Sequence, residues 1–309
     1  MKKLIATLAT LAVALGAALA QDLAAVTELY NAGAESIAIN KESALKSFVQ
    51  ALEQAQALGE EGAEIVENCK NIIPNLQLSI AKDLVKASKF DEAVAALQEV
   101  EKVAEAYEAL DVLDEARTLI PQIKMSKAGN LLNAKDYEGA AAAYKEVLDA
   151  DPTNGNAALR MGAALNGAGK LEEAKAAFET AAANGQEATA HKQLGNIYLK
   201  EAAAALKEKK YAAAVAAAIK VNDYTENSQA WQIAGQASQL GGKNADAIKY
   251  FEKYLEAAPT ASNAGAIAYT VGALYQQAKN NAKAKEFYSK AASDPKYGAE
   301  AKKMLDALK

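Results

Sequence analysis

The chain has 309 residues, with 34 lysines and arginines against 39 aspartates and glutamates, for a formal net charge of −5. Its only arginines are Arg117 and Arg160, and a mildly acidic chain without an arginine cluster is poorly suited to nucleic acid. A single cysteine, Cys69, excludes an internal disulfide framework, and a single histidine, His191, excludes a metal site built on histidines.

Met1-Lys2-Lys3 is a basic start, Leu4 to Ala17 an apolar run, and Ala18-Leu19-Ala20 places small residues at both recognition positions before Gln21. That is the pattern of a secretory signal peptide cleaved after Ala20; the alternative is an uncleaved membrane anchor. No cysteine follows the apolar run, so no lipid attachment is expected there. Cleavage would leave 289 residues with 32 basic and 39 acidic side chains, a net charge of −7. The expected location is periplasmic or secreted. No run in the remainder is long enough to span a bilayer, so no integral membrane segment is expected after cleavage.

From Gln21 onward alanine dominates, proline is scarce and β-branched runs are absent, a composition that favours helix throughout. The fold class is therefore all-α. One signature recurs: a small residue followed four positions later by a large apolar or aromatic one. It appears as Ala44/Phe48, Ala93/Leu97, Ala140/Tyr144, Ala174/Phe178, Ala214/Ala218, Ala247/Phe251 and Ala284/Tyr288, at steps of 49, 47, 34, 40, 33 and 37 residues. Residues 22–57 read as a first helix pair, and Gly59 to Gly62 as a loop. The stretches from Ile72 and from Leu119 align at a constant offset of 47, with Pro74 and Pro121 in the same place. Each is preceded by about three extra helical turns, which predicts lengthened first helices kinked or broken at the proline, or else a short separate helix upstream of it. Residues 133–137 form a turn, and a regular pair follows over 156–184. The next pair is stretched by about two helical turns between Tyr198 and Tyr211 and should project beyond its neighbours. A last lysine-bearing helix, Tyr297 to Leu308, reads as a cap.

The clearest pair lies between Trp231 and Pro259. A first helix from Trp231 to Leu240 ends at Gly241-Gly242, and a second from Ala245 to Ala257 carries Ala247, Ile248, Phe251, Tyr254 and Leu255 at helical spacing. This stretch resembles the tetratricopeptide repeat, whose pattern is W-x2-L-G-x2-Y, A-x3-F and P. Trp231, Gly235, Ala247, Phe251 and Pro259 match, while Ala234 and Ser238 depart from it. The resemblance implies an α-solenoid of about seven helix pairs with a C-terminal capping helix. It would form a single superhelical domain over 21–309: irregular long repeats over 21–135, regular ones over 136–295 and the cap over 296–309.

Catalysis has little to work with. His191 reads as a surface or half-packed residue and Cys69 as a small buried one; in a solenoid they lie several repeats apart. Glu172-Glu173 with Lys175 is the charge spacing of a solvated helix face. Gly167-Ala168-Gly169-Lys170 is a turn between helices, since the phosphate-binding loop pattern is missing. No cofactor and no enzymatic activity are expected.

In the repeat family first helices line a groove, found by stepping from the glycine of each first helix. From Gly162 the step reaches Asn156, Leu159, Arg160, Ala163, Asn166 and Gly167. From Gly195 it reaches Thr189, Lys192, Gln193, Asn196, Leu199 and Lys200. From Gly235 it reaches Gln229, Gln232, Ile233, Gln236, Gln239 and Leu240, and from Gly272 it reaches Ala266, Tyr269, Thr270, Ala273, Gln276 and Gln277. That row is rich in amides, mildly basic and free of acid, and amides pair well with an extended peptide backbone. Some family members clamp a terminal carboxylate; Lys192 and Asn196 match the start of that clamp, but Ile233, Ala266 and Thr270 do not continue it. The expectation is a non-enzymatic interaction scaffold of the cell envelope that binds an extended segment of a protein partner. The alternative is a structural subunit docked by its surface, with no ligand in the groove. A sugar-binding outer-membrane component fits less well, for want of a lipid anchor and exposed aromatics.

Overall fold

The computed structural model describes residues 23–308. The signal-peptide reading of residues 1–20 lies outside them. Among the described residues there is no strand, and no helix is long and apolar enough to cross a membrane. By its contacts the chain falls into two compact units, one reaching to Pro152 and one starting at Thr153. Each repeat of a solenoid touches only its neighbours, so this division does not by itself decide whether 21–309 is one domain.

The first unit consists of helices α1 (Leu23–Ser36), α2 (Lys41–Ala57), α3 (Ala63–Lys86), α4 (Phe90–Ala106), α5 (Leu110–Asn133) and α6 (Tyr137–Ala150). Consecutive helices pack together as pairs α1/α2, α3/α4 and α5/α6. Asn40 starts α2 by accepting a hydrogen bond from the Ser43 N–H, and Asp136 starts α6 by accepting one from Gly139. These bonds satisfy amides that the first helical turn leaves free. The expected loop at 59–62 is a 3-10 turn, Gly59–Gly62. Gly62 is required there, since a Cβ would lie 2.0 Å from the Ala55 carbonyl oxygen.

Helices α3 and α5 each run for 24 residues straight through Pro74 and Pro121. The lengthening agrees with the sequence reading, but the expected break does not occur, and no separate upstream helix exists. A proline inside a helix deprives the carbonyl four residues earlier, here of Lys70 or Arg117, of its donor. Burial on both sides of the proline holds α3 together: Cys69 and Ile73 before it, Leu76, Leu78 and Ala81 after it, all at most 5% exposed. That burial raises the Cys69 thiol to a pKa of about 11, so it stays a protonated core residue.

The second unit contains α7 (Gly155–Gly167), α8 (Leu171–Ala181), α9 (Glu187–Lys207), α10 (Tyr211–Tyr224), α11 (Ser228–Leu240), α12 (Asn244–Ala257), α13 (Ala264–Gln277), α14 (Asn281–Ala291) and the closing α15 (Gly298–Ala307). They pair as α7/α8, α9/α10, α11/α12 and α13/α14. The second unit is thus a solenoid of helix pairs with a terminal helix, with helix boundaries within a few residues of those expected. α11 begins three residues before Trp231 because Asn227 caps it, accepting from the Ala230 N–H.

Candidate functional site

The row of first-helix residues is positioned by the contact between the two helices of each pair. In α7, α11 and α13 that contact is a glycine under an aromatic ring. A Cβ on Gly162 would lie 2.7 Å from the Phe178 ring, one on Gly235 2.4 Å from Phe251, and one on Gly272 2.8 Å from Tyr288. The ring fixes the rotation of the first helix and so decides which side chains point away from its partner. α9 is different. Its partner α10 has Ala218 at the ring position, and Gly195 is met instead by Thr225, 2.7 Å from the Cβ it lacks. Aromatic contacts replace the missing ring. Tyr224 stacks on Tyr198 at 5.7 Å between centroids and receives the edge of His191 at 5.4 Å. His191 is therefore half-packed, as its sequence context suggests.

Lys175 corrects the reading of a solvated charge face. It is 8% exposed, bonded to Glu172 at 2.8 Å and Glu201 at 2.7 Å, with its ammonium 4.6 Å above the Tyr198 ring. Burial alone would lower its pKa, but the two carboxylates outweigh it and hold the lysine charged. The group ties α8 to α9.

The sequence of α7, α11 and α13 contains no aspartate or glutamate, and α9 contains only Glu187 and Glu201, the second of them engaged by Lys175. Along the same helices Asn156, Arg160, Lys192, Asn196, Gln229 and Gln239 are exposed, and Asn166, Gln193, Gln232 and Gln236 are half-buried. None of these ten side chains has a hydrogen bond or ion pair within the described residues. Among the described residues the cations of these helices without an ion pair are Arg160, Lys192, Lys200 and, at the end of α9, Lys207.

The family model for the tetratricopeptide repeat matches residues 131–195. Over that stretch, from the end of α5 into α9, the chain carries tetratricopeptide repeat sequence. No curated protein matches it. Among solved structures it is similar to MamA protein, at 21% identity over 58% of this chain and 94% of that one, with a TM-score of 0.35. It is also similar to YrrB, described as a TPR protein with an unusual peptide-binding site, at 23% identity over 59% and 91%, TM-score 0.32. A third is a tetratricopeptide repeat protein from Parabacteroides merdae, at 14% identity over 92% and 99%, TM-score 0.29. At those scores the likenesses carry no argument about a ligand.

Within the repeats two proposed row residues are tied into the protein. Gln276 accepts a hydrogen bond from the buried Tyr288 hydroxyl at 2.7 Å. Tyr269 stacks on Tyr297 at 5.2 Å and tilts against Tyr288 at 5.5 Å. Ile233 does not belong to the row: it is 6% exposed and packs with Ala202, Ala218 and Tyr250, because the long α9 covers it. Gln277, also stepped to, accepts from Asn244 of α12 at 3.3 Å. The signal for the Gln276 contact stands in the sequence: Tyr288 carries a hydroxyl where Phe178 and Phe251 carry none, and a buried hydroxyl needs a partner. Among the described residues no group of three or more His, Cys, Asp or Glu side chains could hold a metal ion.

Proposed function

We propose that the chain is a non-enzymatic protein-interaction scaffold whose first-helix row in α7, α9 and α11 binds an extended, acidic segment of a partner protein. The observation that carries this reading is the row itself: ten amide or cationic side chains without a partner among the described residues, on helices whose one carboxylate outside a lysine pair is Glu187. An amide offers both donor and acceptor to a peptide backbone. Arg160, Lys192 and Lys200 supply donors only, which favours carboxylates in the ligand and disfavours cations. Gln276, with its carbonyl already occupied by Tyr288, adds a further donor. Tyr269 holds the neighbouring cap helix and shapes the row rather than binding through an exposed face.

The basic start, apolar run and Ala18-x-Ala20 site support export, with the scaffold working in the cell envelope after cleavage. N-terminal sequencing of the protein from its host tests this, and a mature form retaining Leu4 to Ala17 would refute it. The binding test is a fluorescence titration with acidic, neutral and basic peptides of equal length, on wild type and on an Asn196→Ala/Gln232→Ala/Gln236→Ala variant. Acidic peptides should bind tightest and weaken as salt rises. The variant should lose about tenfold or more, since each lost hydrogen bond is worth about 0.5–1.5 kcal/mol and about 1.4 kcal/mol is a factor of ten. Full affinity in a variant with unchanged circular dichroism would move the function to surface docking without a groove ligand.

A further inference from the structure

In the second unit the two ends of the hairpins differ in charge, and the amide row does not use that difference. Turns that join a first helix to its partner lie at one end of the antiparallel helices; turns that lead to the next pair lie at the other. At the first end stand Lys209, Lys243 and Lys279, one in each of three successive hairpins, exposed and without an ion pair in the described residues. At the other end stand Glu187, Glu226 and Glu256, equally exposed. Among the described residues Glu226 and Glu256 have no ion pair, and Glu187 approaches only His191, at 4.0 Å.

The lysines sit where local preference opposes them. Lys209 and Lys279 hold φ of 60° and 59°, the left-handed conformation that glycine takes at the equivalent Gly169 and Gly242. Lys243 is the N-cap of α12, where its side chain makes no capping bond and its charge meets the positive end of the helix. Residues that break a local rule mark positions where something besides the fold sets the choice. Carboxylates near this end do not cancel the row. Glu208 is engaged by Lys210 at 2.7 Å and Glu172 by Lys175, which leaves Glu173 and Asp246 within the first turns of α8 and α12.

We propose that the lysine end of one copy docks on the glutamate end of a second copy of this chain. Both rows follow the same stacking of helix pairs, so a second copy offers three exposed carboxylates along the direction in which the three ammonium groups lie. The contact joins two different surfaces, so each new pair leaves one row free at either side, and assembly continues unless it closes into a ring.

Sedimentation velocity on the purified mature chain tests this. At about 20 mM salt the weight-average mass should rise with concentration, and at about 0.5 M, where the Debye length falls below about 5 Å, it should return to the monomer. A Lys209→Glu/Lys243→Glu/Lys279→Glu variant should stay monomeric; Glu108 already holds φ 58° in this chain, so glutamate fits the two strained positions. A Glu187→Lys/Glu226→Lys/Glu256→Lys variant should stay monomeric as well. Mixed in equal amounts, the two should associate, because one then supplies only acidic ends and the other only basic ends. A wild type that is monomeric at every salt concentration overturns the proposal, as does a mixture that fails to associate. If that monomeric wild type binds anionic phospholipid vesicles through the same lysines, the end faces a membrane instead.

Discussion

The pairs α5/α6 and α11/α12 each carry a glycine in the first helix, but one residue out of register: counted back from the left-handed turn residues Lys135 and Gly242, the place of Gly235 is taken in α5 by the buried Ala128, and Gly129 follows it. Gly235 lies flat under Phe251, with 2.4 Å between the ring and the Cβ it lacks. Gly129 has open space: the nearest atom to its missing Cβ is the Tyr144 hydroxyl at 3.7 Å. One glycine is a packing requirement and the other merely a weak point in a helix 24 residues long. A glycine one place out of register thus escapes the ring, and the distance to that ring decides what the residue is worth.

The largest expected effect tests that contrast directly. Gly235→Ala should destabilise by about 1–3 kcal/mol, since a methyl group has to displace a buried ring. Gly129→Ala meets no obstacle and should stabilise by up to about 1 kcal/mol through helix propensity. Urea melts of both variants measure the difference; equal losses would mean that the glycines are equivalent after all.

The paired tyrosines give the next step down. Tyr144 and Tyr288 occupy the same second-helix position, both at most 1% exposed. The Tyr288 hydroxyl donates to Gln276, whereas the Tyr144 hydroxyl has no partner among the described residues. Tyr288→Phe should cost about 0.5–1.5 kcal/mol, and Tyr144→Phe should be neutral or stabilising, because a buried hydroxyl without a partner carries only its desolvation cost. A loss at Tyr144 as large as at Tyr288 would break the contrast.

The repeat architecture was legible because the Ala-x3-aromatic signature survives in most pairs and a glycine stands seven or eight residues after the start of each first helix of the second unit. Trp231 to Pro259 alone predicts both its helices to within three residues. The exposure of ten amide and cationic side chains on α7, α9 and α11 was legible too, since the packed glycine of each first helix sets its rotation. What the sequence hid depends on neighbours from other helices. The helix through Pro74 is held by burial on both of its sides, which proline rules applied locally do not see. Lys175 looks solvated until Glu201 and Tyr198 arrive from α9. Ile233 leaves the row because α9 is two turns longer than its neighbours and reaches over it. The substitution of Ala218 for a ring was visible in the sequence, but not the Tyr198–Tyr224 stack that replaces it.

The hairpin turns sharpen the comparison from the other side, because here the two units agree. Lys135 in the first unit and Lys279 in the second hold φ of 62° and 59°. A residue with a Cβ costs about 1 kcal/mol in this conformation, less the larger entropy that glycine loses on folding. Lys135→Gly and Lys279→Gly should each therefore stabilise by at most about 0.5 kcal/mol. Thermal melts showing a gain in one unit and a loss in the other would mean that the turns are not interchangeable.

A comparably small effect compares two carboxylates that each sit between two lysines. Asp83 joins helices: Lys41 of α2 and Lys86 of α3 both bond it, and they lower its pKa. Glu286 stays within α14, bonded by Lys283 and Lys290 at 2.8 Å each, and these bonds hold its pKa at about 2. A carboxylate whose pKa is lowered on folding stabilises the fold above its unfolded value. That contribution is lost as the pH falls from there through the folded value. For Glu286 the window runs from about 4.3 down to about 2. The side chain is 41% exposed, so solvent screening limits the gain to at most about 1 kcal/mol despite the size of the shift. Glu286→Gln removes the titration while keeping the helix. Wild type should exceed this variant in stability near pH 6 by that small margin, and the margin should close as the pH approaches 2. Asp83→Asn should follow the same direction, with the added consequence that α2 loses a tie to α3, so its effect should reach amide exchange in both helices. Urea melts at several pH values check the first claim, and an advantage that persists at about pH 2 would show that Glu286 acts through something other than its charge.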